Sequence, residues 1–146
     1  MRTTVSFEYP ARFVGTEADD AGVLSIKGAG WFASILGSIP ELEVNPQLCQ
    51  EDWGVVVFTK RRQIAFDFFF WGGLAEDPIS SWVAEVRHGG LFGLQRFMTK
   101  GQQELRFLVQ DFHQTLTRNT QISNLAWFTS SDDAFSAKAQ RFATPE

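Results

Sequence analysis

The chain has 146 residues and a formal net charge of −4 at pH 7, which fits one domain and lacks the basic excess that nucleic-acid binding requires. Cys49 is its only cysteine, so an internal disulfide is excluded, and no apolar run approaches the roughly 20 residues needed to cross a bilayer. The 15 phenylalanines and 5 tryptophans indicate a core rich in large rings. We therefore expect one cytoplasmic domain over residues 1–146 that binds neither nucleic acid nor membrane.

The acidic charge is concentrated in the first part of the chain. Residues 1–59 contain eight acidic and three basic side chains, whereas residues 60–146 contain nine acidic and ten basic ones. The acidity therefore belongs to this segment and its connections rather than to the whole surface. A basic protein is electrostatically the easiest partner.

The N-terminal elements are predicted from alternation and helical spacing. Val5–Tyr9 alternates weakly before Pro10, which predicts a short edge strand. Thr16 has the character of a helix N-cap, because acidic residues follow it in the first turn. A helix that ends before Pro40 then accounts for a set of small and apolar residues at helical spacing, which are Leu24, Gly28, Trp31, Phe32, Ile35 and Ile39.

Three small residues in this stretch, Gly28, Gly30 and Ala33, match the outline G-x-G-x-x-A of a dinucleotide-binding turn. A dinucleotide-binding turn follows a buried strand and precedes a long helix. Here the preceding segment, Val23–Lys27, is short and half polar, and Pro40 would end the helix only about two turns after Gly30. The strands that follow are close neighbours rather than parts of a crossover unit. We therefore interpret the small residues as a close contact between helix and sheet, and expect no cofactor.

Three runs rich in Val, Ile, Phe and Trp form the centre, at Trp53–Thr59, Gln63–Trp71 and Ser81–Arg87. The segments between them, Lys60–Arg62 and Gly72–Ser80, predict turns, so the runs form an antiparallel meander. The middle run is apolar on both faces, which predicts a central strand covered over most of its area.

Asp67 is the one charged residue within this middle run. Burial of a carboxylate is costly unless a donor compensates for the lost hydration. We expect Arg61, Arg62 or Arg87 to supply that donor.

The last third returns to helix. Thr99 and Gln102 have capping-box spacing, and the helix that they begin is predicted to end at Arg118–Asn119. Its apolar stripe comprises Leu105, Leu108, Val109, Phe112 and Leu116. Ile122–Thr129 predicts another strand.

A short closing helix is predicted after this strand, with Asp132 or Asp133 as its cap. Its inner side would carry Phe135, Ala139 and Phe142. Helices thus interrupt a series of antiparallel strands, and we expect an α+β fold in which helices pack against an antiparallel sheet with a central meander.

The titratable residues predict neither a catalytic nor a metal centre. His88 and His113 are the only histidines, and neither has a second ligand at metal-binding spacing. We expect His113 at the solvated rim of its helix. Cys49 precedes acidic residues, which raise rather than lower the pKa of a thiol, so we expect it to be inert. The chain is therefore predicted not to be an enzyme.

One tetrapeptide, Glu51-Asp52-Trp53-Gly54, leads directly into the strand that contains VVVF. With the following QIAFDFFFW, the long amphipathic helix and the late ISNLAWF, it resembles small α+β immunity proteins of bacterial polymorphic-toxin systems, such as those of contact-dependent inhibition. This resemblance covers about residues 40 to 128. It implies a cytoplasmic, noncatalytic protein that binds one toxin domain and neutralises it.

Acidic residues in loops are the predicted contacts with such a toxin. A toxin that cuts nucleic acid has a basic substrate cleft, and acidic side chains on its inhibitor would accelerate association and occupy the phosphate path. The predicted partner-binding residues are Glu41, Glu43, Glu51, Asp52, Glu76 and Asp77.

Two other classes of protein stay open. A ligand-binding or enzymatic α+β domain would have a pocket on the aromatic-rich sheet, holding Asp67, Arg87 or His88 with displaced pKa values. A homo-oligomer would instead bury an apolar patch against its own copy, at Leu91–Phe92 or at the last helix.

Overall fold

The computed structural model describes residues 1–10, 30–51, 53–76, 79–90 and 98–146. Within these ranges the chain has an α+β fold of one antiparallel sheet and three helices. The strands are β1 (Thr4–Pro10), β2 (Leu42–Glu51), β3 (Gly54–Arg61), β4 (Ile64–Glu76), β5 (Ile79–His88) and β6 (Ser123–Phe128). The helices are α1 (residues 30–36), α2 (Thr99–Arg118) and α3 (Ser131–Ala134).

The described strands lie in the order β2-β3-β4-β5-β1-β6, and every neighbouring pair is antiparallel. The predicted meander is confirmed, with β4 inside it. β1 is also an interior strand, because β5 pairs with one side of it and β6 with the other. The prediction of an edge strand was therefore wrong. Pro10 is tolerated because it is the last residue of β1, where only one backbone donor is lost.

The edge next to β3 is formed by β2, which the alternation pattern did not predict. Pro46 lies inside it, and the pairing with β3 shifts register between Val44 and Leu48. Proline cannot donate to a ladder, and a bulge twists an edge strand, so both features suit the border of a sheet.

The turns of the meander are shorter than predicted. β3 and β4 are joined by Arg62 and Gln63 alone, and both have positive φ values, 47° and 70°. This is the two-residue hairpin geometry whose twist matches the strands. The predicted turn at Gly72–Ser80 is instead mostly strand, since β4 continues to Glu76 and β5 begins at Ile79.

The core lies on one face of the sheet, the inner face, against α1 and α2. Alternation along β4 directs Phe66, Phe68 and Phe70 to this face, and all three are fully buried. Phe32 of α1 stacks on Phe70 with ring centroids 4.4 Å apart. Phe112 of α2 meets the Phe68 ring edge-on at 5.3 Å. These ring contacts hold both helices to the centre of the sheet.

Helix α2 confirms the predicted apolar stripe and the predicted C-terminus at Arg118. Its N-terminus differs from the prediction. Met98 is the N-cap, with extended backbone and no side-chain hydrogen bond to the helix, and Thr99 is already the first helical residue. The capping box predicted for Thr99 and Gln102 is therefore wrong, because the backbone leaves the extended region one residue too early for it.

Helix α3 is a single turn whose cap is Ser130, which accepts a hydrogen bond from the Asp133 backbone N–H at 3.2 Å. Neither Asp132 nor Asp133 is the cap, so that prediction was wrong. Phe135 is 62% exposed rather than inward-facing. Phe142 does pack on the core, and its backbone pairs with Trp127 along the outer edge of β6.

Several predictions fall outside the described residues. They concern the helix N-cap at Thr16, the first half of that helix, the segment Val23–Lys27 and the apolar pair Leu91–Phe92.

We expect Phe112→Ala to lower the free energy of unfolding by about 3–5 kcal/mol, because it leaves a cavity beneath two other rings. Phe107→Ala, the same substitution on the exposed side of α2, is the control and costs only about 1 kcal/mol, because much of this side chain is exposed. Urea denaturation measures both. Equal losses in the two variants would contradict the assignment of the inner face as the core.

Candidate functional site

The face of the sheet opposite α1 and α2, here called the outer face, carries exposed aromatic rings. Alternation along β4 directs Phe69 and Trp71 to this side. Trp53 reaches them from the turn between β2 and β3, and Phe135 from the residue after α3. These four side chains form what we call the aromatic cluster.

Ring contacts fix the cluster internally. The Trp53 ring lies 5.8 Å from Phe69 and 5.3 Å from Trp71, centroid to centroid. Phe135 meets Trp71 edge-on at 6.3 Å. Trp53 nevertheless remains 43% exposed and Phe135 62% exposed. Large exposed apolar rings that are already ordered by one another are typical of an interaction surface.

Arg87 borders the cluster and is held in place by two contacts. Its guanidinium lies 4.6 Å from the Phe69 ring centre. Glu85 accepts hydrogen bonds from Nε at 2.7 Å and from Nη2 at 2.9 Å, and this bidentate pair raises the pKa of Arg87. About half of the Arg87 side chain stays exposed, so a fixed cation faces solvent beside the rings.

Asp67 also lies on the outer face, between Phe58 of β3 and Arg87 of β5. Burial raises the pKa of its carboxyl group. The carboxylate packs over Gly89, where any Cβ atom would collide with it. Its position as a half-buried carboxylate was predicted correctly.

The donor predicted for Asp67 was wrong. Arg61 pairs with Asp111 of α2 at 2.7 Å, Arg62 pairs with Glu41 and with Glu104, and Arg87 pairs with Glu85. Each arginine therefore pairs with a carboxylate other than that of Asp67. Within the described residues, no ion pair compensates for the burial of Asp67.

Those predicted partner-binding acids that the structure describes do not form one loop surface. Glu43 and Glu51 are exposed residues of β2, and their partners in β3, Lys60 and Gly54, place both on the outer face, roughly 20 Å apart by strand geometry. Glu41 lies elsewhere, in an ion pair with Arg62 whose hydrogen bond lowers the pKa of Glu41. Glu76 is the last residue of β4, and Asp52 and Asp77 lie outside the described residues.

The two histidines lie away from these rings. His88 points to the inner face beside Phe66, and neither ring nitrogen has a hydrogen-bond partner within the described residues. His113 is half-buried, and its Nδ1 accepts a hydrogen bond from Trp127 Nε1 at 3.1 Å. Burial lowers the pKa of both imidazoles. Because Asp67 and Arg87 lie on the opposite face from His88, the fold does not bring these three residues together.

Cys49 lies on the outer face of β2, with its Sγ 3.5 Å from Glu51 Oε1. Desolvation and that carboxylate raise the pKa of the thiol, which disfavours the nucleophilic thiolate.

Across the described ranges, no three His, Cys, Asp or Glu side chains are grouped to hold a metal ion. None of the helices in those ranges combines the length and apolar composition of a membrane span.

Sequence reasoning missed the aromatic cluster. The apolar character of both faces of β4 was recognised, but it was interpreted as cover on both sides. The available signal was that Phe69 and Trp71 repeat at a spacing of two on the face that also carries Asp67.

Comparisons of the chain with protein-family models, with curated proteins and with solved structures found no match.

We expect the raised pKa of Asp67 to make stability depend on pH. The folded protein holds this proton more tightly than the unfolded chain, so stability falls as pH rises from the ordinary pKa of aspartate through the raised one. Asp67→Asn removes this dependence. As pH rises from the ordinary pKa of aspartate to the raised pKa of Asp67, the free energy of unfolding of this variant should therefore increase relative to that of the unsubstituted protein, and the difference should be constant at higher pH.

Urea denaturation at a series of pH values, followed by tryptophan fluorescence, measures this difference. Asp132→Asn, at an exposed position in α3, is the matched control for the exchange of one carboxylate for an amide. A constant difference for Asp67→Asn, or one of opposite sign, would contradict the expected burial of the carboxylate.

Proposed function

We propose that this chain is a noncatalytic binding factor whose outer face docks a protein partner with a basic surface. The single observation that carries the proposal is the aromatic cluster, in which Trp53 and Phe135 stay exposed although other rings hold them in place. Contact residues of this type dominate the binding energy of protein interfaces.

Preorganisation supports docking at this face. Trp53 is positioned by two rings, and Arg87 by Glu85 and by the Phe69 ring, so little side-chain freedom remains to be lost on binding. Tryptophan and arginine are the residue types most enriched among energetically dominant contacts. The cluster and Arg87 together form a suitable interface centre.

The charge around this centre favours a basic partner. Glu43, Glu51 and Asp67 lie on the outer face, and none of them has an ion-pair partner within the described residues. Arg87, by contrast, is already neutralised by Glu85. Lysine and arginine side chains on the partner would complement the remaining acids and could also stack on the exposed rings.

More specifically, we propose that the partner is a toxin domain and that the chain is its immunity protein in the bacterial cytoplasm. The resemblance of residues 40 to 128 to such proteins supports this, as does the acidic balance of the chain. An outer face bound over a basic substrate cleft would block access without any reaction by the chain itself.

The test begins with the product of the reading frame beside the gene for this chain. We expect that product to inhibit growth when produced alone, to be tolerated when both proteins are produced, and to form a 1:1 complex with this chain. A neighbouring metabolic enzyme that neither inhibits growth nor binds would contradict the proposal.

We expect Trp53→Ala to weaken this complex by about 100-fold, since removal of a central interface tryptophan costs about 2–4 kcal/mol. Phe107→Ala is the matched control, because Phe107 is similarly exposed, at 41% against 43% for Trp53, but lies on α2. Titration calorimetry measures both affinities. Equal weakening by the two substitutions would exclude the outer face as the docking surface.

The paired substitution Glu43→Gln and Glu51→Gln should act on the rate of association. Both side chains are exposed at the border of the outer face, so we expect slower association and a weaker dependence on salt, with little change in dissociation. Stopped-flow measurements at several salt concentrations test this. A change confined to the dissociation rate would show that these acids do not steer the encounter.

A further inference from the structure

A cavity of about 410 Å³ lies at the far end of the outer face, between β1, β5 and α3. This volume falls in the range of roughly 300–1,000 Å³ that is typical of small-molecule sites. The side chains relevant to its chemistry are Ser6, Glu8, Val83, Asn124, Phe135 and Arg141.

Two irregularities in the sheet meet at this cavity. The pairing of β1 with β6 shifts register between Ser6 and Glu8, and the pairing of β4 with β5 shifts after Gly72. Gly72 also lines the cavity and has a φ of 124°. Bulges redirect side chains and are frequent beside functional sites. These two bulges thus shape the part of the cavity wall that the strands form.

Asn124 has left-handed backbone, with a φ of 51°, a conformation that asparagine tolerates better than most residues. Its side-chain Nδ2 donates a hydrogen bond to Glu8 Oε2 at 2.5 Å, and its main-chain oxygen accepts one from Arg141 Nη2 at 3.3 Å. One residue therefore contacts both the carboxylate of Glu8 and the guanidinium of Arg141 at the cavity wall.

The two charges do not neutralise each other. Within the described residues, neither Glu8 nor Arg141 takes part in an ion pair. The hydrogen bonds through Asn124 occupy only one oxygen of Glu8 and one nitrogen of Arg141. Counting only partners in the described ranges, a carboxylate and a guanidinium with further bonding capacity thus line the same cavity.

The remaining wall includes the serines Ser6 and Ser81 and an apolar part formed by Val83 and the exposed ring of Phe135. We propose that the cavity binds a free α-amino acid with an apolar side chain. Its ammonium group would bind Glu8, its carboxylate would bind Arg141 and its side chain would pack on Phe135. Phe135 belongs to both sites, but Glu8 and Arg141 lie outside the aromatic cluster, so substitutions of these two residues test the cavity separately from protein docking.

Titration calorimetry of the full chain with L-leucine tests the proposal, and the ligand itself provides the first controls. We expect saturable 1:1 binding of L-leucine. 3-Methylbutylamine lacks the carboxylate and 4-methylpentanoate lacks the ammonium, so each should bind at least about tenfold more weakly, as expected for the loss of one charged hydrogen-bonded contact. N-Acetyl-leucine amide, which has neither charge, should not bind.

Variants assign the site to this cavity. Glu8→Gln keeps an acceptor for Asn124 and Arg141→Gln keeps a donor, so both should fold, yet each should weaken L-leucine binding at least about tenfold. Arg106→Gln, which removes an exposed charge on α2 on the other side of the sheet, should bind normally. Failure of L-leucine to bind, equal binding of the uncharged amide, or unchanged affinity in both charge variants would overturn the proposal.

Discussion

Phe70 of the central strand stacks on two other rings, Phe32 of α1 at 4.4 Å and Trp82 of β5 at 4.6 Å. Phe32 also meets Phe112 of α2 edge-on at 5.7 Å, so one set of contacts joins both helices to the middle of the sheet. Because the rings are fully buried, most of the apolar area removed from water on folding lies on the inner face. Of the elements that the structure describes, helices α1 and α2 therefore lie on the same side of the sheet.

This one-sided arrangement explains the chemistry of the outer face. In an antiparallel sheet the face opposite the core is normally polar, yet here β4 directs Phe69 and Trp71 to it. The cost of exposing these rings is reduced because Trp53 and Phe135 pack on them and the Arg87 guanidinium covers part of Phe69. What remains exposed is a rigid surface, and rigidity favours binding because less conformational freedom is lost.

The sequence predicted those elements whose pattern is local. The meander strands β3, β4 and β5 followed from runs of β-branched and aromatic residues, and α2 followed from its apolar stripe. β2 was missed because Pro46 and its bulge interrupt the alternation. Tertiary packing decides which face of β4 the helices cover. It also decides which carboxylate each arginine pairs with. Arg61 pairs with Asp111 of α2 rather than with Asp67. Arg61 and Asp111 are 50 positions apart in the sequence, so no local pattern predicts their contact.

Phe135 belongs both to the aromatic cluster, through Trp71, and to the wall of the cavity beside α3. The two sites are nonetheless built on different physical principles. Trp53 contributes to the cluster alone, where binding energy comes from the burial of apolar rings. Glu8 and Arg141 contribute to the cavity alone, where opposite charges held by Asn124 select for a ligand with opposite charges of its own. Side-chain chemistry at these three positions therefore separates the two binding events, although one ring serves both.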